Sequence, residues 1–120
     1  MGHPTIYPTG VTVYNPEKCW NGFTIFQALE VGAVLMNMNG RENKVWKGVH
    51  GFPNKLFPGG YLMTSRGSRD GRYGVQDGLD LVQIDWDGNV VWKFDRNEYI
   101  EDPGIPGRWM ARSHHDYQRE

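Results

Sequence analysis

The chain is short of three things that often settle a protein's class at once: cysteine, unbalanced charge and long apolar runs. Its single cysteine, Cys19, excludes an intrachain disulfide and any cysteine-built metal cluster. Thirteen basic residues against fourteen acidic give a net charge of −1, with no like-charge run to attract nucleic acid or an acidic membrane surface. No segment approaches the roughly 20 apolar residues of a membrane span. The opening residues MGHPTIYPTG have neither a basic start nor an apolar stretch, so they do not read as a signal peptide. Two origins stay open: a cytoplasmic protein, or a piece of an exported one whose leader lies outside this chain. Also missing are a phosphate-cradling Gly loop, a nucleophile elbow and a His-Glu-x-x-His metal motif.

What the chain has in quantity is turns and aromatics. Sixteen Gly and seven Pro in 120 residues leave little room for long helices. Five Trp, six Tyr and five Phe suit strands and sheet-to-sheet packing. The strongest local signal is LDLVQIDWDGNVVWKF, residues 79–94, where two apolar runs flank Asp87-Gly88. Asp-Gly between such runs predicts a type I′ hairpin, because both central residues need positive φ. That turn places Gln83 opposite Trp92, Leu81 opposite Phe94 and Ile84 opposite Val91. Both faces carry large side chains, so the hairpin is expected to be covered on both sides within a larger stacked sheet.

Residues 1–22 read as an extended entry segment, with a short strand at Val11–Tyr14. Gly22–Gln27 and Ala33–Met38 read as strands, and Asn39-Gly40 turns the chain back into Lys44–Lys47. This second hairpin repeats the first: MNMNG–KVWK aligns with QIDWDG–VVWK, with Gly40 and Gly88 48 residues apart and Trp46 and Trp92 46 apart. Strand–turn–strand units recurring at that period predict β-propeller blades, four-stranded antiparallel sheets arranged round an axis. Lys55–Phe57 and Tyr61–Thr64, joined by Pro58-Gly59-Gly60, complete one blade. The organisation expected is an all-β partial propeller: a half blade at 23–49, a full blade at 50–95 and the start of a third at 108–120. Ser65–Gly78 is expected to be an ordered surface loop. Glu98–Gly107 reads as another loop, with Pro103 and Pro106 keeping it out of a central strand. Such a partial ring has open sheet edges, so the chain is read as part of a longer protein, inactive alone and prone to self-associate.

Four stretches carry a resemblance: YPTGVTVYNPEKCWNGFTIF (7–26), VHGFPNKLFPGGYLM (49–63), DLVQIDWDGNVVWKFD (80–95) and RWMARSHHDYQRE (108–120). Together they resemble the bacterial arylsulfate sulfotransferases, the type that does not use the nucleotide sulfate donor. WDGNVVWKF occurs in many propellers; its combination with His-His-Asp narrows the match. The resemblance implies a six-bladed propeller with its site in the central channel. It also implies a histidine nucleophile, further channel histidines and arginines, and no cofactor. The reaction implied is sulfuryl transfer from an aryl sulfate donor to a phenol acceptor, in a protein exported to the periplasm or beyond.

By that resemblance the catalytic candidates are His114 and His115, with the family's nucleophilic histidine and its arginine partner expected in blades beyond this chain. Which of the two faces the channel stays open; neighbours on an extended strand point to opposite faces. Histidine suits this chemistry both as a neutral nucleophile and as a proton shuttle. The plainer reading is a polar pair capping a strand, with Asp116 bonding local backbone N–H groups. Arg108 and Arg112 are candidates for holding the sulfate, since a guanidinium fork matches its oxygens; arginines at loop ends commonly make surface pairs instead. His50, just before its unit's inner strand, is a candidate channel residue or a structural histidine satisfied by backbone. Trp109 fits an aryl-stacking role or the core, while Trp46, Trp86 and Trp92 read as packing residues. Adjacent histidines on one strand do not converge on a metal unaided, so none is expected. The alternative function is a non-catalytic propeller that binds an aryl or anionic ligand. A later blade with a channel histidine and arginine would favour the enzyme.

Overall fold

A computed structural model describes residues 9–119. His3 and the rest of residues 1–8 of the entry segment, and Glu120, lie outside the described residues. Over the described residues the chain is all-β, built as three antiparallel sheets. The first contains β1 (Thr24–Ala28), β2 (Gly32–Met36) and β3 (Glu42–Lys47), in that order. The second contains β4 (Lys55–Phe57), β5 (Tyr61–Thr64), β6 (Val82–Ile84) and β7 (Val90–Lys93), again in chain order. A two-stranded ribbon follows, β8 (Glu98–Asp102) and β9 (Ile105–Met110). One helical turn, α1 (Gly71–Gly74), interrupts the connection from β5 to β6; Asp70 caps it by accepting the Arg72 N–H. Among the described residues the sheets do not close into a ring, and no helix is long and apolar enough to cross a membrane.

The two larger sheets carry the same turn. In the first, Asn37 N–H donates to Arg41 C=O (3.0 Å), Gly40 N–H donates to Asn37 C=O (3.0 Å), and the Asn37 side-chain oxygen takes the Asn39 and Arg41 amides. In the second, Asp85 N–H donates to Asn89 C=O (2.9 Å), Gly88 N–H donates to Asp85 C=O (3.1 Å), and the Asp85 carboxylate takes the Asp87 and Asn89 amides. An Asn or Asp at the first position thus mimics a turn with its own side chain. Gly88 (φ 91°) adopts the left-handed conformation and Asp87 does not, which corrects the expected type I′ turn. The side-chain bonds of Asp85 hold the bend, so one glycine suffices where a bare two-residue loop needs two positive-φ residues.

Register bears out part of the expectation. Gln83 faces Trp92, and Phe94 N–H donates to Leu81 C=O at 2.9 Å. A bulge between Gln83 and Ile84 places Ile84 opposite Val90 instead of Val91. The first sheet has a bulge at the equivalent place, between Leu35 and Met36. This shared irregularity sets the true repeat at 48 residues: Leu35–Lys44 corresponds to Gln83–Trp92, and Ala33–Trp46 to Leu81–Phe94. Trp92 therefore matches Lys44, and the partner of Trp46 is Phe94.

The core lies between the first two sheets. Ala33, Leu35 and Trp46, with Ile25 beside them, meet Leu62, Val82 and Ile84 of the second sheet, and Val49 closes the junction. Gln27, on that same face, crosses the gap: its amide donates to Val49 C=O (2.9 Å) and accepts from Gly51 N–H (3.2 Å) and Asn54 Nδ2 (2.9 Å). Buried Thr64 donates to Asn54 Oδ1 at 2.7 Å and so satisfies the far end of this amide chain. The other face of the second sheet is covered by residues 114–119. Tyr117 donates its hydroxyl to the carbonyls of Pro53 and Met63, and Arg119 reaches Gln83 Oε1 (2.7 Å) and stands over the Trp92 ring (4.5 Å).

Three further expectations are corrected. Val11–Tyr14 forms no strand. Glu98–Gly107 is not a loop but most of the β8–β9 ribbon, because Pro103-Gly104 makes a tight turn (Gly104 φ 76°) and Tyr99 packs edge-to-face on Trp109 at 5.6 Å. A two-stranded ribbon uses one edge of each strand, so Pro106 is tolerated there. The cover expected on both sides of the 79–94 hairpin is incomplete: at the open edge, Val90 and Val91 are 42% and 50% exposed.

Candidate functional site

The His-His-Asp stretch does not continue a strand. Ala111 and Arg112 donate their amides to Leu79 and Gly78 carbonyls, and Gly78 N–H returns a 2.7 Å bond to Ser113 C=O. Left-handed Arg112 (φ 53°) and His115 (φ 65°) then turn the chain twice. Strand alternation therefore does not apply, and the two imidazoles meet edge-to-face with centroids 3.9 Å apart.

Behind His114 stands a carboxylate, and it is not Asp116. Asp77 Oδ1 lies 3.6 Å from His114 Nε2. Its other oxygen accepts from Arg69 Nη1 (3.1 Å), and Arg69 clasps Asp102 through Nε (2.9 Å) and Nη2 (2.5 Å). The hydrogen bonds that Arg69 donates to Asp102, then the one to Asp77, hold its guanidinium above its ordinary pKa, and Arg69 in turn holds the Asp102 carboxyl below the usual range. Asp116 instead pairs with Lys55 (2.6 Å) and accepts the Tyr117 amide, and Lys55 keeps its carboxyl below the usual range.

His115 lines a recess of about 380 Å³ with Ile25, Phe26, Gln27, Phe52, Pro53 and Asn54. The recess lies beside the seam between the first two sheets, where the Gln27–Asn54 amides fix the backbone at Gly51. Phe26 and Phe52 are 41% and 39% exposed, leaving ring surface open to an occupant. An apolar lining with one titratable group is the usual composition of a small-molecule site.

The other candidates lie elsewhere. His50 is fixed through its amide to Ser65 C=O (2.6 Å) and is not part of the His115 recess. Arg112 pairs with Glu98 at 3.1 Å, both partners being well exposed. Arg108, half-buried on β9 opposite Ile100, has a buried Nη2 without a hydrogen-bond partner among the described residues. Its charge helps lower the carboxyls of Asp70 and Asp102. Trp109 is 67% exposed, so it is not a core residue. Arg69 and Asp77 have as their cue in the sequence only the alternation of charge and glycine in SRGSRDGRYGVQDG, and Asp102, in EYIEDPG, has none.

Comparison with protein-family models, with curated proteins and with solved structures gives no match to this chain.

Proposed function

We propose that these sheets are blades of a propeller whose channel carries out group transfer with histidine, and that residues 111–117 form part of one channel wall. More specifically, the chain is the leading part of an arylsulfate sulfotransferase-like enzyme, exported to the periplasm, that moves a sulfuryl group between phenols. One observation carries this reading: the His115 imidazole sits on the wall of an aromatic recess with His114 packed against it. The four-stranded meander, stacked face-to-face on a sheet with the same turn, supports the blade assignment. In the reaction, a histidine from another blade attacks sulfur as the bond to the donor oxygen breaks. His114 or His115 gives a proton to the departing phenolate and takes one back from the acceptor phenol, which then attacks sulfur and releases the histidine.

The test is transfer from a chromogenic aryl sulfate to phenol by the full-length protein, with His114→Ala and His115→Ala made separately. At least one change should slow transfer by about 100-fold, the size of an acid–base contribution. If neither slows a working enzyme, the site assignment fails. Tight binding of the aryl sulfate without any transfer would favour the non-catalytic binding module.

A further inference from the structure

We infer that Asp77 is the positioning residue for His114, presented to it by the Arg69–Asp102 clasp. This rests on reading His114 as part of the site, and it goes further by naming the residue through which the imidazole is held. Side-chain exposures of 17% for Arg69, 15% for Asp77 and 7% for Asp102 withdraw the three charges from water, where each one's orientation depends on the others. Asp102 takes two arms of the guanidinium, so Asp77 receives only Nη1, on Oδ2. Oδ1 is left facing His114.

The backbone is fixed on both sides of the pair. Arg69 N–H donates to Asp77 C=O (2.9 Å) and Asp77 N–H to Gly74 C=O (2.9 Å). Gly78 N–H holds Ser113 C=O (2.7 Å), tying the residue after Asp77 to the residue before His114. At 3.6 Å the imidazole contact is longer than a hydrogen bond; contacts of this kind commonly tighten only when a site is loaded. The remaining charges near the pair are committed: Arg112 to Glu98, Asp116 to Lys55, while the His115 ring stands against His114. A carboxylate in this place fixes the imidazole's orientation.

A residue that merely stapled the loop would change stability and leave the orientation of the His114 ring alone. The experiment reads the His114 χ1 rotamer from NMR three-bond couplings in the unaltered chain and in Asp77→Ala and Asp77→Glu. In Asp77→Ala the single rotamer should give way to averaged couplings, because the ring loses the group that orients it. Asp77→Glu should keep the single rotamer. The methyl signals of Leu62, Val82 and Ile84 report whether the core is intact. An unchanged rotamer in a folded Asp77→Ala chain overturns the inference. If that variant does not fold, Asp77→Glu decides: it supports the inference if its His114 keeps the rotamer of the unaltered chain and overturns it if the couplings are averaged. None of these readings requires sulfuryl transfer, so an inactive protein would count against the proposed function and not against the role of Asp77.

Discussion

Trp46 donates its indole N–H to the backbone carbonyl of Asp85 at 3.1 Å, joining the last strand of the first sheet to the turn of the second. The same indole meets Trp86 edge-to-face at 5.2 Å and is itself only 3% exposed. Replacing it separates packing from hydrogen bonding. Trp46→Ala should cost about 3–5 kcal/mol, the usual price of deleting a buried aromatic. Trp46→Phe keeps most of the packing but leaves the Asp85 carbonyl only its bond from the Gly88 N–H, a loss of about 1 kcal/mol. Denaturant midpoints test the order; a Trp46→Phe midpoint equal to that of the unaltered chain would show that the cross-sheet bond contributes little.

Gly51 has no room for a side chain. A Cβ there would lie 2.0 Å from Asn54 Oδ1 and 2.7 Å from Thr64 Oγ1. Gly51→Ala must therefore push Asn54 off Gln27 or Thr64, breaking the amide chain behind the His115 recess. Overpacking of this kind costs about 1–3 kcal/mol. The expected result is a lowered unfolding midpoint together with weakened binding of an aryl sulfate. Unchanged stability would mean that Asn54 relocates freely.

Tyr117 is half-buried and donates to two carbonyls, Pro53 and Met63. Burial first, then the Asp116 charge, raises its phenol above the ordinary value of 10.0. The proton is thus held more tightly in the folded chain. The stabilisation is fully present below the ordinary phenol range and is lost as pH rises through the elevated folded value. Amide exchange at residues 114–119 should therefore quicken in strong alkali, relative to a chain carrying Tyr117→Phe. That variant should also exchange faster at neutral pH, because the two carbonyls lose their shared donor.

Asp102 and Asp116 respond in the opposite direction. Arg69 and Lys55 hold their carboxyls below the usual range. Their contribution is present above the ordinary aspartate value of about 4 and falls away as pH drops through the depressed folded values. On acidification, exchange protection should fail first in the loop around Arg69 and in the segment around Asp116, while Leu62 and Val82 in the core stay protected. Simultaneous loss everywhere would show that these pairs are not local clasps.

Much of the strand layout was legible because it rests on short-range chemistry. Pro58-Gly59-Gly60 and the two Gly-bearing turns each sit between apolar runs, and those signals survive in any context. The turn type and the alignment of the tryptophans were not legible, since both depend on bulges that no local pattern announces. The β8–β9 ribbon was hidden because Pro106 argues against a strand until its unused edge is known. At the candidate site, the histidine pair stood out by composition. Asp77 did not: it lies 37 residues before His114 and is brought to it by the backbone bonds that join Gly78 and Leu79 to residues 111–113.

Lys44 and Trp92 occupy equivalent rungs of the two repeated ladders, one a cation and the other an indole. Each has found its chemical complement outside its own strand: the ammonium of Lys44 stands 5.3 Å from the Trp86 ring, and Trp92 lies under the guanidinium of Arg119. Duplicated architecture has thus kept one kind of attraction while exchanging which side supplies the charge and which the π face. Changing Trp92 to lysine would set two cations together, whereas changing Lys44 to an aromatic would exchange a cation–π contact for a ring–ring one.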